Sequence, residues 1–531
     1  MRLGTAGLIE VVCPFDAVTH AQLRAVRPPG RWLSRRGCWE FPFEAAAILE
    51  RLLAGRFPRT PELERWLAWC RQPLPPLPPH RALVAAADLD QPLVDGRHLL
   101  VHQRAGVRWL LARRGAILAD AMGLGKTLTA LTAGRSLGRL ADCRLVVVAP
   151  AGLHPHWRCE AAALGLRLEL HSWARLPPEL PEAGTVLIAD EAHHAQNLSA
   201  RRTLAFLRLA RHPRLRAIWL LTGTPMRNGR PAQLFPLLAA IGHPLGADQR
   251  AFEERYCQGH WREQGGRRVW QANGASQLVE LQRLVRPLLL HRTKQQCLDL
   301  PPKQRCLHPV SLDASAARRF DRQLQLCVHR YRQRAARGEV RRDAEVFAVL
   351  TALRQIGSAF KLPAAIQLLE GLRAEGEAVV VFTAFVASAR QLYRHFGGDA
   401  GALLLDGAVP PRRRHGLVEA FQAGRRPLLI ATFGTGGLGF TLHRARHVLL
   451  LERPWTPGDA EQAEDRCHRI GMGAALTSHW LQLGQADHFV DNLIAGKAER
   501  IAQVLHSPQE LGHRRALAVL GRQLLERWPG A

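Results

Sequence analysis

Leu118-Ala-Asp-Ala-Met-Gly-Leu-Gly-Lys-Thr127 closes a short apolar run, and Val186-Leu-Ile-Ala-Asp-Glu-Ala-His193 stands about sixty residues further along. The first stretch reads as a strand, Ala116 to Ala119, entering a glycine-rich turn that opens a helix at Lys126. Gly123 and Gly125 let backbone N–H groups close around phosphate oxygens where a side chain would block the approach. Met122 and Leu124 complete the loop. Lys126 is spaced to reach β- and γ-phosphates, and the Thr127 hydroxyl to ligate Mg²⁺. In the second stretch the strand Thr185 to Ala189 ends on Asp190, suited to the metal, and Glu191, suited to orient an attacking water. The strict phosphate-loop pattern asks for Gly six residues before the lysine, where this chain has Asp120. Taken singly, Gly-Lys-Thr can be a mere turn and Asp-Glu-Ala-His an acidic helix start. Each at a strand end, in this order and spacing, they imply ATP and Mg²⁺ as ligands and a parallel α/β fold.

Length and charge narrow the class. A chain of 531 residues exceeds one core, and its 47% hydrophobic content can fill about three. The formal net charge of +28 implies attraction to a polyanion. Lys occurs only at 126, 294, 303, 361 and 497, so an arginine-biased genome explains the choice of base but not the deficit of acids. The ten cysteines form no C-x-x-C pair, which argues against a zinc ribbon or a disulfide framework. No run of eighteen apolar residues and no N-terminal apolar segment after the basic start is present. The expectation is a cytoplasmic protein without membrane contact, nucleoid-associated if prokaryotic.

The hydrophobic pattern divides the chain. Residues 1–70 alternate short strands and helices, including a Trp-rich strand pair around Arg31 to Phe43, and read as a small αβ accessory domain. Residues 71–94 hold the proline run Pro73 to Pro79, a stiff linker. Residues 95–243 alternate strands (116–119, 144–149, 185–189, 217–221) with helices, the signature of a first parallel α/β lobe. Residues 245–350 lose strand character and become polar and helical, so 244–364 reads as a helical insertion or connector. Strands return at 378–382, 403–405, 427–431 and 447–451, placing a second parallel α/β lobe at 365–500 before a helical tail at 501–531.

The second lobe contains Gln462-Ala-Glu-Asp-Arg-Cys-His-Arg-Ile-Gly471, whose Arg466 and Arg469 share one face at helical spacing. Presented across a cleft, such guanidinium groups neutralise charge developing on the γ-phosphoryl oxygens. In isolation the same residues read as a solvated helix face.

With these motifs in order, the chain resembles the Swi/Snf-type branch of the superfamily-two helicase-like ATPases from about residue 97 to 495. Leu100 to Leu110 is similar to the family's adenine-reading segment and carries Gln103 over. Leu145 to Trp157 resembles the motif on which a DNA strand rests. Leu221 to Asn228 matches the motif coupling hydrolysis to lobe movement, which assigns coupling to Thr222, Gly223 and Thr224, and to Gln462 opposite. Leu290 to Lys294 with Leu300 to Lys303 matches the segment entering the second lobe. Val380 to Phe385, Thr432 to Leu442 and Trp455 to Gly471 complete the set. The resemblance implies DNA-backbone contacts at Pro150, Thr224, Thr383 and Thr435; each threonine reads equally as a strand-end hydroxyl bonded to its own backbone. Ala121 stands where the family usually has Glu, Thr432 to Gly439 lacks the usual Lys-Ala, and Met472 replaces Gln.

Arg255-Tyr-Cys257 and Asn273 to Leu281 resemble the HARP-type annealing-helicase branch, as do Leu353 to Ile356 with Lys361. The resemblance implies two RecA-like lobes and a DNA-dependent ATPase that moves on double-stranded or forked DNA and remodels forks or anneals strands in repair or replication; one chain holding both halves of the ATP site reads as a monomer. A strand-separating DNA or RNA helicase, and a DNA-binding scaffold with a decayed ATPase, stay open as alternatives.

Overall fold

The computed structural model describes residues 78–484 and 487 apart from 178, 181–183, 213–214, 227–229, 265–266, 338–342, 398–400, 437–439, 455–456 and 470. Of the N-terminal segment it describes 1–3, 9–14, 16–26, 30–34, 36–41, 45–53, 56, 58–61 and 63–64. The expected tail 501–531, most of the proline run, and Arg227, Asn228 and Trp455 lie outside the described residues.

Four short strands open the chain: β1 (Arg2–Leu3), β2 (Ile9–Val12), β3 (Arg31–Leu33) and β4 (Cys38–Phe41). They form an antiparallel sheet in the order β1-β2-β4-β3. Ile9, Val11, Trp39 and Phe41 pack with Leu23 and Leu49 from the helices Ala17–Ala25 and Ala46–Leu52. Asp16 caps the first of these by accepting from Thr19 N at 2.8 Å.

The next unit is a six-stranded sheet of parallel pairs. Its strands are β5 (Gly115–Leu118), β6 (Arg144–Ala149), β7 (Glu169–Ser172), β8 (Thr185–Asp190), β9 (Leu215–Leu221) and β12 (Leu289–Leu290), in the order β12-β5-β9-β8-β6-β7. Strand β8 is buried at every position, so both of its faces are apolar. Ile117, Val146, Val148 and Leu187 face one core, while Leu118, Leu145, Val147 and Val186 face the other. Between β9 and β12 an antiparallel hairpin is inserted, β10 (His260–Gln264) with β11 (Arg267–Gln271).

The second six-stranded parallel sheet comprises β13 (Lys303–Pro309), β14 (Val379–Thr383), β15 (Ala402–Leu405), β16 (Leu428–Thr432), β17 (His447–Leu450) and β18 (Leu476–Gln482), in the order β13-β18-β17-β14-β16-β15. The two RecA-like lobes with a small N-terminal αβ unit agree with the fold class expected from sequence. The loss of strand character read over 245–350 is corrected: that stretch holds the hairpin, an edge strand of the first sheet and the edge strand β13 of the second. Strand β13 is exposed or half-buried along its length and carries charged and polar residues, so it lacked the apolar signal.

A buried ion pair ties the long helix Asp343–Ala374 to the residues after β18. Lys361 is 1% exposed and pairs with Asp487, which also accepts from Leu483 N at 2.7 Å. Asp487→Ala leaves that ammonium unpaired, and is expected to cost about 3–5 kcal/mol in urea denaturation. The double variant Lys361→Met, Asp487→Leu should recover most of the loss.

Candidate functional site

Parallel strands deliver their following loops to the carboxyl edge of a sheet, where ligands of open α/β folds bind. Here β5 ends in the Asp120–Gly125 loop, β6 in Pro150, β8 in Asp190–Glu191 and β9 in Thr222–Thr224. Gly123 and Gly125 take φ of 85° and 75°, the left-handed region that favours glycine. A Cβ on Gly125 would collide with the Gln103 side chain, whose Nε2 donates to Leu124 O at 3.3 Å. Gln103 Oε1 accepts from Leu100 N at 3.0 Å, so the loop is braced from the helix Val101–Leu111. Met122 packs on Gly223, where a Cβ would sit 3.0 Å from its Cγ. Lys126 opens the helix Lys126–Ala141 and donates to Asp120 O at 2.7 Å and Ala121 O at 3.3 Å. Burial pushes its ammonium down, against the pull of Glu191, Asp120 and Asp190. Thr127, half-buried, follows in the first turn.

The paired carboxylates differ sharply. Asp190 Oδ2 accepts from the Trp157 indole at 2.9 Å, and Oδ1 from Glu191 N at 2.8 Å. Burial, then the neighbouring Glu191, pushes the Asp190 carboxyl up. Glu191 sits at φ 49°, in the left-handed region that non-glycine residues seldom adopt. Burial opposes its ionisation, but His193 at 3.2 Å, Lys126 and Arg466 together hold it below the usual carboxylate range. One carboxylate is thus kept ionised beside another that resists ionisation.

The second lobe faces this edge with cations. Arg466, 3% exposed, acts electrostatically on Glu191 and Asp190. Arg469 bonds Asp465 O at 2.9 Å and the Thr441 hydroxyl at 3.2 Å, and its Cγ would lie 3.6 Å from a Cβ on Gly123. Phosphate loop, carboxylates and both arginines are therefore brought together. A cavity of about 280 Å³ runs between the lobes, lined among others by Pro150, Glu191, His193, Asp459 and Gln462. Glycine cradle, buried lysine and facing arginines fit a nucleoside triphosphate. Among the described residues no group of three or more His, Cys, Asp or Glu could hold a metal. Mg²⁺ held by Thr127 and Asp190 would take its other ligands from phosphate and water.

Several sequence assignments change. Thr383 is fully buried and its Oγ1 bonds the Glu452 carboxylate at 2.9 Å. Thr435 Oγ1 bonds Leu405 O at 2.6 Å. Neither hydroxyl is open to a phosphate here, because a buried hydroxyl must find an internal partner. Trp157 is likewise buried and holds Asp190, so it offers no surface to a strand. Thr224 and Pro150 remain accessible at the edge, and the Thr224 carbonyl accepts from Gln196 at 3.4 Å. Thr222 is buried, with Oγ1 accepting from Thr224 N at 3.1 Å.

Arg292 and Lys294 join the site, a role that the motif spacing does not assign to either. Arg292 binds Asp120 through Nε at 2.9 Å and again through Nη2, which accounts for an aspartate in the phosphate loop. Lys294, 9% exposed, pairs with Asp465 Oδ1 at 3.0 Å, donates to His468 O, and lies beside Gly123. It joins the chain just after β12 to the arginine-bearing turn of the other lobe. Their His-Arg-Thr-Lys context was legible, but not its contacts some 170 residues away.

Burial lowers the Lys294 ammonium to about 8, against the pull of Asp465. Its charge is present below that pH and lost above it. Turnover by the wild type should therefore fall above pH 8. Lys294→Arg, charged throughout, should extend the alkaline limb, while Lys294→Ala should lower kcat roughly 10- to 100-fold at pH 7 by releasing the arginine turn. A steady-state pH–rate profile of the three proteins checks this.

Family comparison follows the same layout. The SNF2-related domain model matches residues 102–164 and 181–361, and the helicase conserved C-terminal domain model matches 361–471. The DNA annealing helicase and endonuclease ZRANB3 of Bos taurus is 29% identical over 450 residues, covering 77% of this chain and 40% of that protein. The Caenorhabditis elegans homolog of SWI/SNF-related matrix-associated actin-dependent regulator of chromatin subfamily A-like protein 1 is 28% identical, covering 78% of this chain and 63% of that one. This chain thus spans only part of the curated relatives it matches. The Sulfolobus solfataricus SWI2/SNF2 ATPase core in complex with dsDNA aligns over 83% of this chain and 97% of its own, at 20% identity and a TM-score of 0.35. With both family models matched in order over the two parallel lobes, the chain belongs to the SNF2-related ATPases with a helicase C-terminal domain.

Proposed function

We propose that this chain hydrolyses ATP with Mg²⁺ and uses the opening and closing of its lobes to travel along duplex DNA, with forked DNA as its working substrate. The observation that carries this reading is the placement of Arg466 and Arg469 against the Lys126 loop and Glu191 of the other lobe. In it, Lys126 and the N–H groups of the Met122–Gly125 loop hold the β- and γ-phosphates, and Gln103 borders the base. Thr127 and Asp190 hold Mg²⁺, which when bound supplies positive charge on the phosphate oxygens. Glu191 orients a water and accepts its proton as the new P–O bond forms and the bridge to the β-phosphate breaks. Arg466 and Arg469 offset charge on the transferred group, so loss of that group removes what draws the lobes together. Thr222, Gly223, Thr224 and Gln462 border the moving interface and carry the change between lobes.

Duplex DNA as the track is supported by the +28 charge and by the open Pro150–Thr224 edge. Phosphate contacts position without reading sequence, so movement is sequence-independent. Annealing or fork remodelling draws support from the relative whose name describes a DNA annealing helicase.

The test is steady-state ATP hydrolysis alone and with blunt duplex, forked DNA, single-stranded DNA and duplex RNA. Stimulation by duplex or forked DNA is expected, abolished by Lys126→Ala and by Glu191→Gln, and reduced roughly 10³-fold by Arg466→Ala or Arg469→Ala. Equal rates with and without every nucleic acid would overturn the proposal. In the same series duplex affinity should fall linearly on a log–log plot against salt.

A further inference from the structure

The hairpin β10–β11 displays an aromatic surface that the ATPase site does not use. Trp261 and Trp270 are direct cross-strand partners, so both side chains lie on one face, with their ring centroids 5.5 Å apart and edge to face. Trp270 is half-buried and fixed: its indole N–H donates to Glu253 Oε2 at 2.6 Å. Trp261 is 48% exposed. Beneath the pair lies Arg250, its guanidinium 3.2 Å from the Trp270 centroid and 4.8 Å from that of Trp261. Glu254 holds Arg250 in place at 2.8 Å, and Arg268 reaches to 5.6 Å from Trp261. The result is a rigid indole platform bordered by cations, not a loose surface side chain.

The base of the hairpin ties it to the site edge. Gly274 N bonds Cys257 O at 2.9 Å and Gly259 N bonds Glu253 O at 2.8 Å, which clamps both strands to the helix Gln249–Tyr256. Arg230, on the segment leaving the Thr222–Thr224 loop, meets Asn273 at 3.3 Å. The hairpin is thereby joined to the segment that follows the Thr222–Thr224 loop.

The geometry points to Trp261 as a stacking platform for an unpaired nucleotide, with Arg268 on the same face of the hairpin for a flanking phosphate. The proposal rests on the DNA-motor reading above and names the part of a fork that this hairpin takes. Every base offers a π-face to an indole, so the contact tolerates any sequence, and arginines add cation–π and phosphate attraction. In a continuous duplex those faces are already stacked on neighbouring bases. The platform therefore distinguishes an unpaired strand from a blunt duplex.

Trp261→Ala, Trp261→Phe and the wild-type chain should be titrated with a labelled single-stranded oligonucleotide, a fork with unpaired arms, and a blunt duplex at one salt concentration. Thermal midpoints verify that each variant folds. Trp261→Ala is expected to lose roughly ten-fold in affinity for the single strand and the fork while its blunt-duplex affinity holds. Trp261→Phe, which keeps an aromatic face, should stay near the wild type. Unchanged single-strand affinity in Trp261→Ala, or an equal loss on all three nucleic acids, overturns the proposal. Failure of every nucleic acid, forked DNA included, to stimulate wild-type ATP hydrolysis would overturn the motor reading instead, and the strand titrations would still decide the hairpin.

Discussion

Charge crowded into a poorly hydrated cleft is the constraint on which the rest of this structure depends. Lys126, Lys294, Arg466 and Arg469 meet Asp190, Glu191 and Asp465 where the two lobes face each other, and most of these groups are deeply buried. Burying a charge is costly unless a partner of opposite sign is held nearby. The cations outnumber the carboxylates, so the cleft is short of negative charge, which is the state a polyphosphate would complete. Arg466 and Arg469 belong to one lobe and Asp190 and Glu191 to the other, so the strength of that attraction depends on how closely the lobes approach.

Each lobe holds its side of the cleft with polar anchors. In the first, Arg292 on Asp120 and Trp157 on Asp190 fix the loop and the carboxylate from behind. In the second, Glu464 is fully buried and accepts from Arg305, Ser478 and Trp480, gathering β13 and β18 under the arginine turn. Glu452 does the same for Thr383 and Ala384 N at the end of β14. These carboxylates explain why hydroxyls that look available in the sequence are already engaged. They also make the arginine turn a fixed feature of its sheet, so movement of that turn requires movement of the lobe.

Strands β5, β6, β8, β14 and β16 fall close to where the apolar runs of the sequence place them, because a strand buried on both faces is hydrophobic at nearly every position. Strands β13 and β18 do not announce themselves. Lys303-Gln-Arg-Cys-Leu-His-Pro309 is an edge strand whose side chains meet water, and Leu476-Thr-Ser-His-Trp-Leu-Gln482 buries a serine and a histidine in hydrogen bonds. The hairpin β10–β11 carries no apolar signal for a similar reason: its tryptophans pack on arginine and on each other, outside either apolar core.

By itself the sequence determined the two-lobed parallel α/β architecture and the candidate phosphate loop, carboxylate pair and arginines, since glycine spacing, strand-end acids and helical Arg spacing are local properties of the chain. Tertiary structure alone decided which groups share the cleft. Lys294 reaching Asp465, Arg292 reaching Asp120 and Thr383 reaching Glu452 join residues far apart in the chain. No local periodicity encodes such pairs; they follow from crossover connections that bring distant strand ends to one edge, where each buried charge or hydroxyl takes the partner within reach.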